Sequence, residues 1–113
     1  MRAGRTAAEI GEVNEGNFRR EVILSEKLVL IYFEHPYDED SRADMEMIKG
    51  LTELLTKSVK FLKSDVLYND KLASYVGMGD KPGLVIYKDG ERIAKFPSPL
   101  NKPKIRDIIR RKK

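Results

Sequence analysis

The chain has 113 residues, 41% of them hydrophobic and 35% charged, with a formal net charge of +4. That is enough for one domain with a modest core and a well-solvated surface. The absence of cysteine excludes disulfides, thiolate metal sites and thiol catalysis. No apolar run nears the roughly 20 residues that span a bilayer. The opening MRAGRTAAEIGEV lacks the apolar stretch of an export signal, so a cytoplasmic monomer is the default expectation.

In chain order, residues 1–8 read as a flexible end and residues 9–113 as a single domain. Ala8 to Val13 is expected as a short edge strand. Asn14 then caps a helix, NEGNFRREVIL, that places Phe18 and Val22 on one face. Leu28 to Phe33, LVLIYF, is a continuous apolar run, the pattern of a strand buried on both faces. A helix follows from Asp40 or Ser41, with Ser41 and Asp44 as a capping box. Met45, Ile48, Leu51 and Leu55 form its apolar stripe.

A second strand covers Val59 to Val66, and Asp70 caps a short helix that ends at Gly77. The cluster GDKPG turns the chain into the strand LVIYK. Asp89-Gly90 then signals a tight hairpin into ERIAKF. After a proline-rich loop, Pro103 opens a last helix whose apolar face is Ile105, Ile108 and Ile109. Right-handed crossovers make the early strands parallel, and the hairpin adds an antiparallel strand. The expected architecture is α/β, a mixed sheet of four to five strands between about four helices.

Charge is unevenly spread. Residues 34–46 hold Glu34, Asp38, Glu39, Asp40, Asp44 and Glu46 against Arg42. The end of the chain holds Lys102, Lys104, Arg106, Arg110, Arg111, Lys112 and Lys113 against Asp107. Such a basic helix either meets a polyanion or is a solvated face with cations near its negative dipole end.

The order of elements, LVLIYFEHPYDEDSRADMEMI and KPGLVIYKDGERI resemble the thioredoxin family from about Ile10 to Arg110. The resemblance implies a thioredoxin-like three-layer fold. It also implies an active-site loop at His35-Pro36-Tyr37 and a cis-proline at Pro82. Asp38 and Ser41 stand where the family carries its attacking and resolving cysteines. Tyr32 stands at its buried acid–base aspartate, and Gly83 where threonine usually follows the proline. Disulfide exchange needs a thiolate, so no catalytic residue and no cofactor is expected. The stretch FEHPYDEDS is also similar to the thioredoxin-like subunit of the spliceosome.

Other chemistries are poorly supplied. Ser41 has only His35 in reach and no third orienting group. His35, Asp38, Glu39, Asp40 and Asp44 are hard ligands for a divalent ion, yet a helix start repels cations and these acids suit it as caps. No metal is therefore expected, with a divalent site at this loop as a minor alternative.

Two function classes remain. One is a redox-inactive module that holds a protein or peptide partner at the groove of His35, Pro36, Tyr37, Asp38, Ser41, Lys81, Pro82 and Gly83. There Gly79 and Gly83 would leave the backbone open to an added strand. The other is a subunit of a nucleic-acid-processing complex, bound through Arg106, Arg110, Arg111, Lys112 and Lys113. Neither reading involves a membrane.

Overall fold

The structure, a computed structural model, describes residues 10–55 and 58–112. The expected flexible end at residues 1–8 lies outside them. Five strands form one mixed sheet: β1 (Gly11–Glu12), β2 (Leu28–Glu34), β3 (Val59–Asp65), β4 (Gly83–Lys88) and β5 (Glu91–Pro97). Their spatial order is β1-β3-β2-β4-β5. β1 and β2 run parallel to β3, while β4 is antiparallel to both β2 and β5.

The uninterrupted apolar run of β2 is explained by helices on both faces. Val29, Ile31 and Phe33 join Val13, Phe18, Val22, Leu72 and Val76 on one side. Leu28, Leu30 and Tyr32 join Ile48, Leu51, Ile105 and Ile109 on the other. Successive side chains of a strand alternate between faces, so an inner strand covered twice can hold no exposed polar position. The second side is covered by α1 (Glu39–Leu55) and α3 (Lys102–Lys112). The first side is covered by α2 (Asp70–Tyr75) and a short π-helix, Arg19–Ile23.

That π-helix corrects the regular helix expected from Asn14. The Asn14 carboxamide oxygen accepts the N–H groups of Gly16 and Asn17, forming a turn. The chain then makes one wide turn in which the Leu24 N–H reaches the Arg19 carbonyl. Phe18 and Val22 are buried as the spacing predicts.

The Asp89-Gly90 hairpin forms as expected, with φ of 53° and 82° at its two residues. Positive φ at both central positions gives the turn whose twist matches the flanking strands. Behind α2, Gly77 at φ 94° ends the helical run. Two cations of β5 bond the freed carbonyls there: Arg92 donates to Val76 O at 2.6 Å and Lys95 to Gly77 O at 3.0 Å. Positive charge at this end also complements the helix dipole.

Candidate functional site

The loop between β2 and α1 is held by local hydrogen bonds, among them the Asp38 N–H to the His35 carbonyl at 3.1 Å. One Asp38 carboxylate oxygen accepts the Asp40 N–H at 2.8 Å and the Ser41 N–H at 3.3 Å. Asp38 is therefore the N-cap, satisfying two donors that a helix start leaves free. The Tyr37 N–H donates to His35 Nδ1 at 3.2 Å, and the two rings meet edge to face at 6.0 Å. Tyr37 itself is 84% exposed at the tip.

The expected capping box of Ser41 and Asp44 does not form. Ser41 sits in the third position of the helix with its hydroxyl turned inward, where it accepts the His35 N–H at 2.9 Å. Asp44, only 3% exposed, is one turn further along the same inner face. Its carboxylate takes three donors: the Tyr32 hydroxyl at 2.7 Å, the Leu100 N–H at 3.0 Å and the Ser98 hydroxyl. The Tyr32 oxygen also lies 3.2 Å from Ser41 Oγ. A phenol has one proton and a carboxylate only accepts. Tyr32 therefore donates to Asp44, and the Ser41 hydroxyl donates to the Tyr32 oxygen. The resulting chain links the loop at His35, through Ser41, Tyr32 and Asp44, to the β5–α3 loop at Ser98 and Leu100.

Tyr32 is pushed well above the usual tyrosine range. Burial is the main cause; the Ser41 hydrogen bond lowers it, and the Asp44 carboxylate raises it further. Tyr87 is raised as well, first by burial. An unfolded tyrosine ionises near about pH 10, where these two still hold their protons. The stabilisation is thus intact below about pH 10 and is lost as pH rises beyond it. Absorbance at 295 nm should show a late phenolate component equal to two tyrosines that tracks alkaline unfolding. It should shrink by half in Tyr32→Phe; titration of all five tyrosines before unfolding would contradict the buried network.

Around Pro82 the structure corrects two expectations. The cis X–Pro bond among the described residues is Ser98–Pro99, not Lys81–Pro82. The change of direction before Pro82 is made by positive-φ Gly77 and Gly79 and by the Lys81 N–H donating to Met78 O. Nor is the backbone at Gly83 open. Pro82 and Gly83 are buried, the Ser98 N–H occupies Pro82 O at 3.2 Å, and Gly83 is paired with both Phe33 and Pro97. Of the two glycines flanking this turn, Gly79 has open space around it and Gly83 does not.

The eight residues assigned to the groove thus divide. His35, Pro36, Tyr37, Asp38 and Lys81 reach the surface, whereas Ser41, Pro82 and Gly83 lie beneath. The pairing of Phe33 with Gly83 sets the turn before Pro82 beside the Tyr37 loop. Exposed Tyr68, after the end of β3, adds a second aromatic at this end of the sheet. Sequence reasoning passed over Tyr68 and Ser98, and took Asp44 for a helix cap or a metal ligand instead of a buried acceptor. Asp44 was detectable, since positions 44, 48, 51 and 55 share one helical face.

Among the described residues no three His, Asp or Glu side chains converge to hold a metal ion. At the far end of the sheet Arg106, Arg110, Arg111 and Lys112 are exposed along α3; Lys113 lies outside the described residues. No described helix is long and apolar enough to cross a membrane.

The strand–loop–helix unit thus sits on a sheet with an antiparallel hairpin at its edge. The thioredoxin family model aligns with residues 9–111. The chain belongs to the thioredoxin family. It is similar to the thioredoxin of Porphyra purpurea, 29% identical over 74% of this chain and 78% of that one. Similar too is thioredoxin 1 of Synechococcus elongatus, 30% identical over 72% and 76% of the two chains. The crystal structure of Malassezia sympodialis thioredoxin (Mala s 13) superposes with a TM-score of 0.81. It covers 93% of this chain and 91% of that one at 20% identity. Within this thioredoxin fold, Tyr32 and Ser41 touch each other at the positions that the family resemblance assigns to the buried acid and the resolving cysteine.

Proposed function

We propose that this thioredoxin-family chain is a redox-inactive cytoplasmic module that binds a protein or peptide partner through the loop face around Tyr37. The observation that carries the reading is the exposure of a large aromatic, 84% solvent-accessible, on a loop fixed by the Asp38 cap and the Ser41 hydrogen bond. An aromatic held in place binds with little further ordering cost, which is why such side chains anchor interfaces. His35, Pro36, Asp38 and Lys81 surround it, and Ser41, Pro82 and Gly83 support it from below. Strand addition at Pro82 is not part of this reading, because Ser98 already occupies that carbonyl.

Two measurements test it. Quantitative capture from native extract should lose its specific partner in Tyr37→Ala, with melting unchanged because the ring packs on little. Capture that survives the substitution would place the interface elsewhere. Insulin reduction driven by dithiothreitol should show no acceleration over the reductant alone, and a clear acceleration would overturn the redox-inactive half.

A further inference from the structure

We propose that the groove between the last turn of α1 and the middle of α3 is a second docking surface, and that it takes an acidic amphipathic helix of a protein partner. The groove holds about 180 Å³ and is lined by Leu54, Leu55, Ile109, Arg106 and Arg110. Its floor is apolar: Ile109 is part of the core, and Leu55 packs against it. Leu54, on the rim, is 68% exposed. A large aliphatic side chain left in water beside an apolar cleft leaves hydrophobic surface that a partner can cover.

The rim supplies the sign of that partner. Arg106 and Arg110 are exposed and one helical turn apart, roughly 6 Å along the axis. Among the described residues neither is in an ion pair, whereas Arg111 is bound to Asp107. Among the described residues no acidic side chain lines the groove. Guanidinium groups bind carboxylates in a forked geometry, and carboxylates on a helix recur on one face at a spacing of three or four residues. A helix that places two acids against Arg106 and Arg110 turns the apolar residues between them onto Leu54, Leu55 and Ile109. A nucleic acid fits less well. Its phosphates would satisfy the arginines but leave Leu54 uncovered, and among the described residues no aromatic side chain lines the groove to stack on a base. The surface lies at the end of α1 opposite the Tyr37 loop, so the two can act independently.

The test uses the full chain, isotope-labelled, and a synthetic helical peptide of about 16 residues with leucines on one face flanked by glutamates. Amide shifts should concentrate at Leu54, Leu55, Arg106, Ile109 and Arg110. Affinity should fall about tenfold or more in R106E/R110E and in Leu54→Glu, with unchanged melting, and remain as it was in Tyr37→Ala. A peptide of the same composition scrambled to break the helical period should bind at least about tenfold more weakly. The proposal is overturned if no shifts arise at the groove at about 1 mM peptide or if the scrambled peptide binds equally. It is also overturned if a single-stranded RNA displaces the peptide and binds the groove more tightly.

Discussion

Replacing Asp44 with alanine should lower the unfolding free energy by about 3–5 kcal/mol, because each buried donor left without an acceptor costs about 1–3 kcal/mol. Three donors are orphaned at once: the hydroxyls of Tyr32 and Ser98 and the Leu100 N–H. Tyr32 is fully buried and bears the whole penalty, while Ser98 is half-exposed and recovers part of it from water. Against a typical total of about 5–15 kcal/mol, this is a large share of the fold's stability. Removing one donor instead is milder. Tyr32→Phe should cost about 1–2 kcal/mol, since it strands the Ser41 hydroxyl, and Ser98→Ala about 1 kcal/mol. Urea midpoints at unchanged slope measure all three. The contrast between satisfied and apolar states gives a sharper check. Asp44→Leu combined with Tyr32→Phe and Ser98→Ala removes most of the polar demand together, and should recover much of the loss. An Asp44→Ala variant no less stable than Ser98→Ala would show that the network is not what holds the loop.

The same network shows how far the sequence could be read. The succession of strands and helices along the chain, the first helix's π-turn apart, and the hairpin followed from periodicity and from glycine and proline punctuation, since each of those signals is local. The long-range hydrogen bonds were not local. Ser41 and Asp44 match a capping box when only their spacing is considered, but it is the Asp38 carboxylate that accepts the first free N–H groups of the helix. That leaves Ser41 free to turn inward. Tyr32 could be seen to replace an aspartate, yet nothing in a strand sequence says that a helix twelve residues on supplies the missing carboxylate. The buried acid is still present in this chain; α1 carries it, and the strand carries its donor. Pro82 misled for a related reason. Its place in the family pattern implied an open cis-proline edge, whereas the turn before it and Ser98 had already engaged the neighbouring backbone. A polar site assembled from two loops and a helix depends on tertiary register, and register is fixed by the whole sheet.

Gly83 is where that register leaves no room, and restoring the threonine that the family usually carries there should destabilise the chain by about 2–3 kcal/mol, the range of overpacking a filled core. A Cβ at this position meets the Phe96 carbonyl oxygen at 2.6 Å and also the Met78 methyl. The methyl is the end of a flexible side chain and can swing aside. The carbonyl cannot, because β4 is held between β2 and β5 and Gly83 is in register with both. Backbone conformation is not the issue, as Gly83 does not adopt positive φ. Replacing a glycine in a compatible conformation would otherwise stabilise by about 0.4–1 kcal/mol through the unfolded chain. The clash is larger, so the net sign remains destabilising. Gly83→Ala should show nearly the full effect, since the Cβ alone makes both contacts. Adding Met78→Ala should return only part of it, because the Phe96 contact persists, and Met78→Ala leaves a cavity of its own. Denaturant midpoints of the three variants decide the matter. Gly83→Ala within about 0.5 kcal/mol of the parent chain would mean that β5 yields at Phe96. The loop above Pro82 would then be free to reopen the edge that Ser98 now closes.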